Sequence, residues 1–243
     1  MKIVTINASP RMDKGNTGAI LIPFLDGMRK AGADVEVYYT KKLNIKPCQG
    51  EYNCHYKTPG KCFQQDDMEM LLPKLAEADI WVIATPVYAD GMTVSMKILF
   101  ERMIPLMHLS FELRDGHCRH PLRNGNTSGK VVLVSTCGFW EMDNFDPLLT
   151  HIKAQCKNTN RKFAGALLRP HASALKNMAA AGAPIDDIFQ AARDAGRQLI
   201  KEEEMSSQYL ATVSRELMPL EEYIQRVNKI HQTRIAALEG KLN

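Results

Sequence analysis

The chain has 243 residues, 45% of them hydrophobic, and a formal net charge of +4. That is enough apolar material for one large domain, or one domain with an appendage, while the dispersed Lys and Arg argue against nucleic-acid binding. No apolar run is long enough to cross a bilayer and no leader pattern precedes the first strand, so no membrane partner is expected. The expected address is the cytoplasm, where the six cysteines stay reduced.

In chain order, Ile3, Val4 and Ile6 form an apolar run that stops at a small polar turn, residues 7–9. A loop with Pro10, Arg11, Lys14 and Gly15 leads to Asn16 and Thr17, where a helix marked by Ala19, Ile20, Ile22, Leu25 and Met28 begins; it ends near Gly32. Residues 34–39 alternate as a second strand, and a cysteine-bearing loop occupies 40–65. Asp66 and Asp67 open a helix with Met68, Leu71, Leu72 and Leu75 on one face. Residues 80–84 are a continuous apolar strand, followed by a proline-braced loop at 85–92 and a helix marked by Met92, Met96, Leu99, Phe100 and Met103. A polar excursion spans 108–129. Strands at 131–134 and 163–168 flank a helix carrying Leu148, Leu149, Ile152 and Cys156. Only helical patterns follow, at 185–200 and from Pro219 onward. Five short strands alternating with helices predict a doubly wound parallel sheet in residues 1–175, with a helical extension over 176–243 packed on it or on a subunit partner.

The first loop has the chemistry of an anion site. A helix N-terminus leaves backbone N–H groups unpaired at the positive end of the dipole. Ser9 and Thr17 add hydroxyls, Arg11 a forked cation, Asn16 an amide, and Gly15 a point of close backbone approach. Neither a Walker loop nor a dinucleotide fingerprint is present, and one glycine among hydroxyls suits a single terminal phosphate. The alternative is an ordinary strand-to-helix loop with Asn16 as N-cap. Ligands of such sheets bind beyond the carboxyl ends of the strands. Two further loops leave strand ends there. Residues 85–92 carry Tyr88 and an Asp90–Gly91 pair, and residues 135–140 put Gly138 before Phe139 and Trp140. Phosphate, flat ring and backbone donors together describe a flavin mononucleotide pocket.

On these residues the chain resembles the flavodoxin-like NAD(P)H-dependent FMN reductases, in the branch that includes iron–sulfur flavoproteins. The matching stretches are Ala8-Ser9-Pro10-Arg11 with Gly15-Asn16-Thr17, Thr85-Pro86-Val87-Tyr88 with Met92 and Met96-Lys97, and the segment from Ile45 to Cys62 ending in Asp66-Asp67-Met68. The resemblance covers roughly residues 1–170 and implies strand order 2-1-3-4-5. It implies that Ser9, Arg11, Gly15, Asn16 and Thr17 hold the FMN phosphate. Pro86, Val87, Tyr88, Ala89 and Gly91 would border the ring, with Thr136, Cys137 and Gly138 closing its other side. It further implies NADPH or NADH as co-substrate and a small-molecule acceptor such as a quinone, flavin or nitro compound. No side chain is expected to transfer protons; backbone N–H groups near 87–92 would stabilise charge on the ring. A homodimer or homotetramer is expected, since a shallow flavin edge needs a second surface.

Cys48, Cys54 and Cys62 are spaced C-x5-C-x7-C, which is not a zinc pattern. The cluster-bearing relatives carry a fourth cysteine where this chain has Glu51, so a [4Fe–4S] cluster is disfavoured against plain packing at the pocket border; Lys46 and Lys61 leave a reactive thiol as an intermediate reading. His108, His117, Cys118 and His120 fit no standard metal spacing, Met92, Met96, Met103 and Met107 fall at core intervals, Lys201 to Glu204 reads as a solvated helix end, and Trp140 either covers the flavin or fills the sheet edge. The rivals to an oxidoreductase are an electron-transfer flavoprotein, disfavoured by a pI of 8.7, and a flavin-free regulatory protein of the same fold.

Overall fold

The computed structural model describes residues 1–123 and 129–240. Its main sheet is parallel and runs β2 (Asp34–Tyr39), β1 (Lys2–Asn7), β3 (Ile80–Pro86), β6 (Lys130–Thr136), β7 (Lys162–Arg169). Counting the sheet's strands alone in chain order, this is the expected 2-1-3-4-5. The central strands are apolar on both faces because both faces are covered. Ile3, Ile80, Val82, Val132 and Val134 point into a core shared with α1 (Asn16–Lys30) and α7 (Asp186–Glu202). Their neighbours Val4, Ile6, Trp81, Ile83, Val131 and Leu133 point to α3 (Met68–Glu77), α4 (Val94–Glu101) and α5 (Asp146–Asn158). Met92, Met96 and Met103 pack in this second core.

The α1–α7 contact is unusually close. A Cβ on Gly27 would sit 1.9 Å from the Arg193 carbonyl oxygen, and one on Gly196 would sit 2.1 Å from that of Phe24. Two glycines therefore let the backbones touch, and α7 belongs to the same core as β1. The expected boundary at 175/176 falls inside α6 (Ala172–Ala180).

Several short elements escaped the sequence pattern. A one-turn α2 (Asn53–Tyr56) lies in the cysteine loop, and α8 (Ser207–Ser214) links α7 to the last helix, α9 (Leu220–Glu239). In the excursion, β4 (Glu112–Arg114) and β5 (His117–Arg119) form a hairpin turned by Asp115 and Gly116 at φ 52° and 74°. Strands of three residues carry too little alternation to be read. Residues 124–128 of the excursion lie outside the described residues.

Candidate functional site

The three loops converge at the carboxyl edge of β1, β3 and β6. In the first, the backbone turns through a short 3-10 segment, Met12–Lys14, before α1 starts. The N-cap is Gly15, not Asn16, and no side chain caps the helix. The first-turn N–H groups therefore have no side-chain acceptor. A Cβ on Gly15 would come within 2.5 Å of Ser9 Oγ, so only glycine lets this loop close on Ser9. Ser9 is 4% exposed. The Ser9 hydroxyl, the Asn16 amide and the exposed Arg11 guanidinium make no hydrogen bond or ion pair among the described residues. The nearby carboxylate, Asp13, accepts from Tyr39 at 2.7 Å. Burial and Asp13 push the Tyr39 hydroxyl up to about 12, so it stays a donor and holds that carboxylate to one side. Donors without acceptors at a helix N-terminus fit a phosphate, and the ordinary capped loop does not describe what is there.

A web of buried hydroxyls joins this loop to the other two. Thr17 Oγ1 lies 2.9 Å from Thr136 Oγ1. Thr93 donates its hydroxyl to the Ala8 carbonyl, and its backbone N–H to Thr85 Oγ1. Ser135 donates to the Thr85 carbonyl at 2.7 Å. Three of these four bonds join residues 50 or more positions apart, so the loops are held as one rim.

The second loop is held by a tight backbone turn. Its turn is built on Ala89 and Asp90, both in the left-handed region at φ 46° and 60°, and closed by reciprocal backbone bonds between Tyr88 and Gly91. Gly91 does not supply the positive φ. Val87 donates its N–H to the Thr136 carbonyl. The N–H groups of Ala89, Asp90 and Met92 are left without an acceptor among the described residues. Strain on non-glycine residues beside a ligand edge is a recurring sign of function. Pro86 is buried, Val87 half-buried, and Tyr88 exposed.

The third loop differs in kind. The Cys137 N–H donates to the Arg169 carbonyl, and its carbonyl accepts from Ala172. Burial pushes the Cys137 thiol up, away from thiolate chemistry. Gly138 is open, with nothing within 4 Å of a Cβ placed there, and its carbonyl accepts from the Tyr223 hydroxyl of α9. Trp140 donates Nε1 to the Met218 carbonyl at 3.0 Å and stacks on His171 at 5.9 Å between centroids. It is packing for the C-terminal segment.

Behind this loop sits a hub that the sequence reading missed. Arg169 is 0% exposed and has no carboxylate; it donates to the carbonyls of Val213, Ser214 and Arg215 at the end of α8, where a cation meets the negative end of the dipole. Its remaining Nη2 contact is His171 Nε2 at 3.1 Å, which also accepts from the Leu217 N–H. That assigns the imidazole proton to Nδ1. Burial and Arg169 hold the His171 pKa down to about 4. The available signal was Arg169-Pro170-His171 at the end of the fifth strand, a guanidinium and an imidazole at the edge where the three loops lie.

The cysteine loop is fastened elsewhere. Asp66 and Arg102, with side chains 0% and 1% exposed, form a bidentate pair at 2.6 and 3.1 Å, and the pair also binds Lys46 through its backbone N–H and carbonyl. Arg102 at the end of a core-facing helix pattern was the legible clue. Cys48 is exposed, Cys54 and Cys62 are half-buried. Burial and Glu51 push the Cys54 thiol up, which disfavours the reactive-thiol reading at Cys54. Cys62 lines a cavity of 540 Å³ with Met68, Trp81 and Arg102, which shares no lining residue with the three loops. The cavity beside the loop is thus a separate space. Among the described residues, no three His, Cys, Asp or Glu side chains converge as a metal site, including His108, His117, Cys118 and His120. No described helix is long and apolar enough to cross a membrane.

A five-stranded 2-1-3-4-5 sheet with a donor-rich loop after its first strand defines a flavodoxin-like protein. The comparisons narrow this. The family model described as NADPH-dependent FMN reductase matches residues 1–143, and the chain belongs to that family. An iron–sulfur flavoprotein of Methanocaldococcus jannaschii is 34% identical over 115 residues, 47% of this chain and 58% of that protein. One from Archaeoglobus fulgidus is 37% identical over 102 residues, 42% of this chain and 48% of that protein. The chain thus spans about half the length of the curated relatives it matches. Among solved structures, an FMN-dependent NADH-azoreductase from Bacillus anthracis in complex with FMN superposes with a TM-score of 0.61 at 13% identity, covering 83% of this chain and 98% of that one. At that identity the likeness is one of fold.

Proposed function

We propose that the protein is an FMN-dependent NAD(P)H oxidoreductase that reduces a small-molecule acceptor, of the quinone, flavin or nitro class. The observation that carries this is the uncapped start of α1, where Ser9, Arg11 and Asn16 hold unused donors around Gly15. These residues, with Thr17, would hold the FMN phosphate. Pro86, Val87, Tyr88, Ala89 and Gly91 would border the ring on one side, and Thr136, Cys137 and Gly138 on the other. Bound FMN supplies the hydride-accepting, electron-passing ring that no amino-acid side chain offers. The protein's own part is electrostatic and positional. The N–H groups of Ala89, Asp90 and Met92, without an acceptor among the described residues, would stabilise negative charge on the bound ring without reorganising, since the turn already fixes them. The hydroxyl web keeps the three loops in register. No side chain is given a proton-transfer role.

A homodimer or homotetramer accompanies this reading, because α9 carries Ile224, Ile235 and Leu238 exposed in the single chain. Light scattering on the purified protein tests that point, and a monomer at micromolar concentration counts against it.

The decisive experiment is the visible spectrum of anaerobically purified protein, followed by NADPH and NADH oxidation with menadione or free FMN. Flavin bands with turnover are expected. A colourless protein that quenches no added FMN fluorescence sinks the proposal in favour of a flavin-free role. A second reading, electron transfer without nicotinamide turnover, draws on the iron–sulfur flavoprotein relatives. It predicts flavin bands, broad sulfur-to-iron absorption and no turnover.

A further inference from the structure

A groove of 1040 Å³ runs between α6 and α9 and reaches the first loop at Arg11 and Asn16. Five cations line it: Arg11, Lys176, Arg226, Lys229 and Arg234. Among the described residues no Asp or Glu does. Among the described residues only Arg226 of these five has an ion-pair partner, Glu222 at 2.5 Å along its own helix. Lys176 donates to the Lys14 carbonyl and is held beside Arg11 with no carboxylate between them, where burial and Arg11 pull its pKa down. The floor is different in character, built from Ala174, Met178, Met218, Val227 and Ile230.

An apolar floor under a rim of one charge suits a ligand with a flat face and phosphates. It does not suit a second copy of the same surface. A two-fold contact brings a patch against itself, and here that would set cations against cations. The groove also abuts the proposed flavin pocket: it shares Arg11 and Asn16 with the first loop, and Tyr223, which lines it, donates its hydroxyl to the Gly138 carbonyl of the third. The residues of α9 lie beyond the matched stretch 1–143, so this feature is additional to the family pattern.

We propose that the groove binds the phosphorylated adenosine end of NADPH, the adenine lying on the Met178–Val227–Ile230 floor and Lys229 and Arg234 taking the phosphates. This rests on the oxidoreductase reading and extends it to a choice of co-substrate. The extra 2′-phosphate is what a carboxylate-free cationic groove distinguishes, so NADPH is preferred to NADH.

The test uses the full-length, FMN-loaded protein. Calorimetric titration compares 2′,5′-ADP with 5′-AMP, and steady-state kinetics gives the ratio of kcat/KM for NADPH to that for NADH. The doubly reversed variant Lys229→Glu with Arg234→Glu is set against a control reversal on distant exposed sites, Lys157→Glu with Lys201→Glu. Losing two charge-assisted contacts lowers the ratio by at least about tenfold, while the control moves it by less than about twofold. The 2′,5′-ADP binds at least about tenfold tighter than 5′-AMP to the unmodified protein, and loses that advantage in the α9 variant. Equal binding of the two nucleotides, or an unmoved ratio, overturns the assignment. A change of assembly mass in the α9 variant alone also overturns it, by making the groove an interface between copies. Should neither nicotinamide be oxidised by the unmodified protein, the oxidoreductase reading falls, and the nucleotide titration alone decides the groove. If the α9 variant does not fold, the comparison of nucleotides on the unmodified protein decides it.

Discussion

The first and third loops leave β1 and β6, on either side of β3, at the same edge, yet they use their polar groups in opposite ways. Around Gly15 the donors are unspent: Ser9 Oγ, the Asn16 amide, the Arg11 guanidinium and the α1 first turn. Around Gly138 nearly everything is engaged, Cys137 with Arg169 and Ala172, Gly138 with Tyr223, Phe139 with His171. A buried or half-buried donor without an acceptor costs free energy, so a fold that keeps several together is holding them for something outside the chain. Spent donors mark architecture. The composition of the two loops, small and polar in both, does not separate these cases; the partners do.

The largest effect expected from this contrast is on the architectural side. Arg169→Met strips three carbonyls at the end of α8 of their donor and should lower unfolding free energy by about 3 kcal/mol, read from urea denaturation. A loss of FMN affinity with stability intact would reverse the roles assigned to the two loops. On the other side, Arg11→Ala should weaken FMN binding by a factor of about 10–100 while the FMN-free protein keeps its Tm. Lys14→Ala should change the FMN Kd by less than about twofold, since its side chain is not part of the cradle. Equal dissociation constants for the two variants would contradict the cradle.

Acid provides a gentler probe. His171 is held neutral in the folded protein down to about 4, whereas in the unfolded chain it protonates near 6.5. Between those values the unfolded state binds more protons, so this group's contribution is present above pH 6.5 and is lost as pH falls toward 4. A Tm profile of the native protein should drop across that window and flatten in His171→Gln. An identical slope in the variant would remove His171 from the hub. Thr17→Val stands between the two loops, because its hydroxyl joins Thr136. It should cost about 1 kcal/mol of stability and weaken FMN binding as well. Among the stability changes the smallest is Tyr223→Phe, about 0.5 kcal/mol, with a near-ultraviolet change from the loosened Trp140 side of the loop.

Much of the frame was legible from period and composition alone. Apolar runs such as Ile-Trp-Val-Ile-Ala at 80–84 can satisfy both faces only in the middle of a covered sheet, and the 2-1-3-4-5 order accompanied the motifs that matched. The meeting of the three loops was legible too, because each directly follows a strand end. What stayed hidden was pairing. Nothing local tells that the N-cap would be Gly15 rather than Asn16, or that Ala89 and Asp90 rather than Gly91 would take the positive φ, since those follow from contacts between loops. Trp140 illustrates the limit: its neighbours Met218 and His171 lie 78 and 31 positions away. The anchoring of Asp66 by Arg102 belongs to the same class.

The touching backbones of α1 and α7 bear on how the chain acquires its shape during synthesis. Phe24, Met28 and Ile20, which set the pose of α1 and therefore of the loop at its head, are covered by a helix that begins at Asp186. A growing chain that has already emitted β1, β3 and β6 still lacks that cover. Until Gly196 has left the ribosome and met Phe24, the first helix presents an oily flank and its loop has no fixed seat. Contacts of such sequence separation are slow to form. The proposed phosphate seat, written in the opening residues, is therefore among the last features to become rigid, and chains stopped before α7 should be caught by chaperones or proteases rather than by flavin.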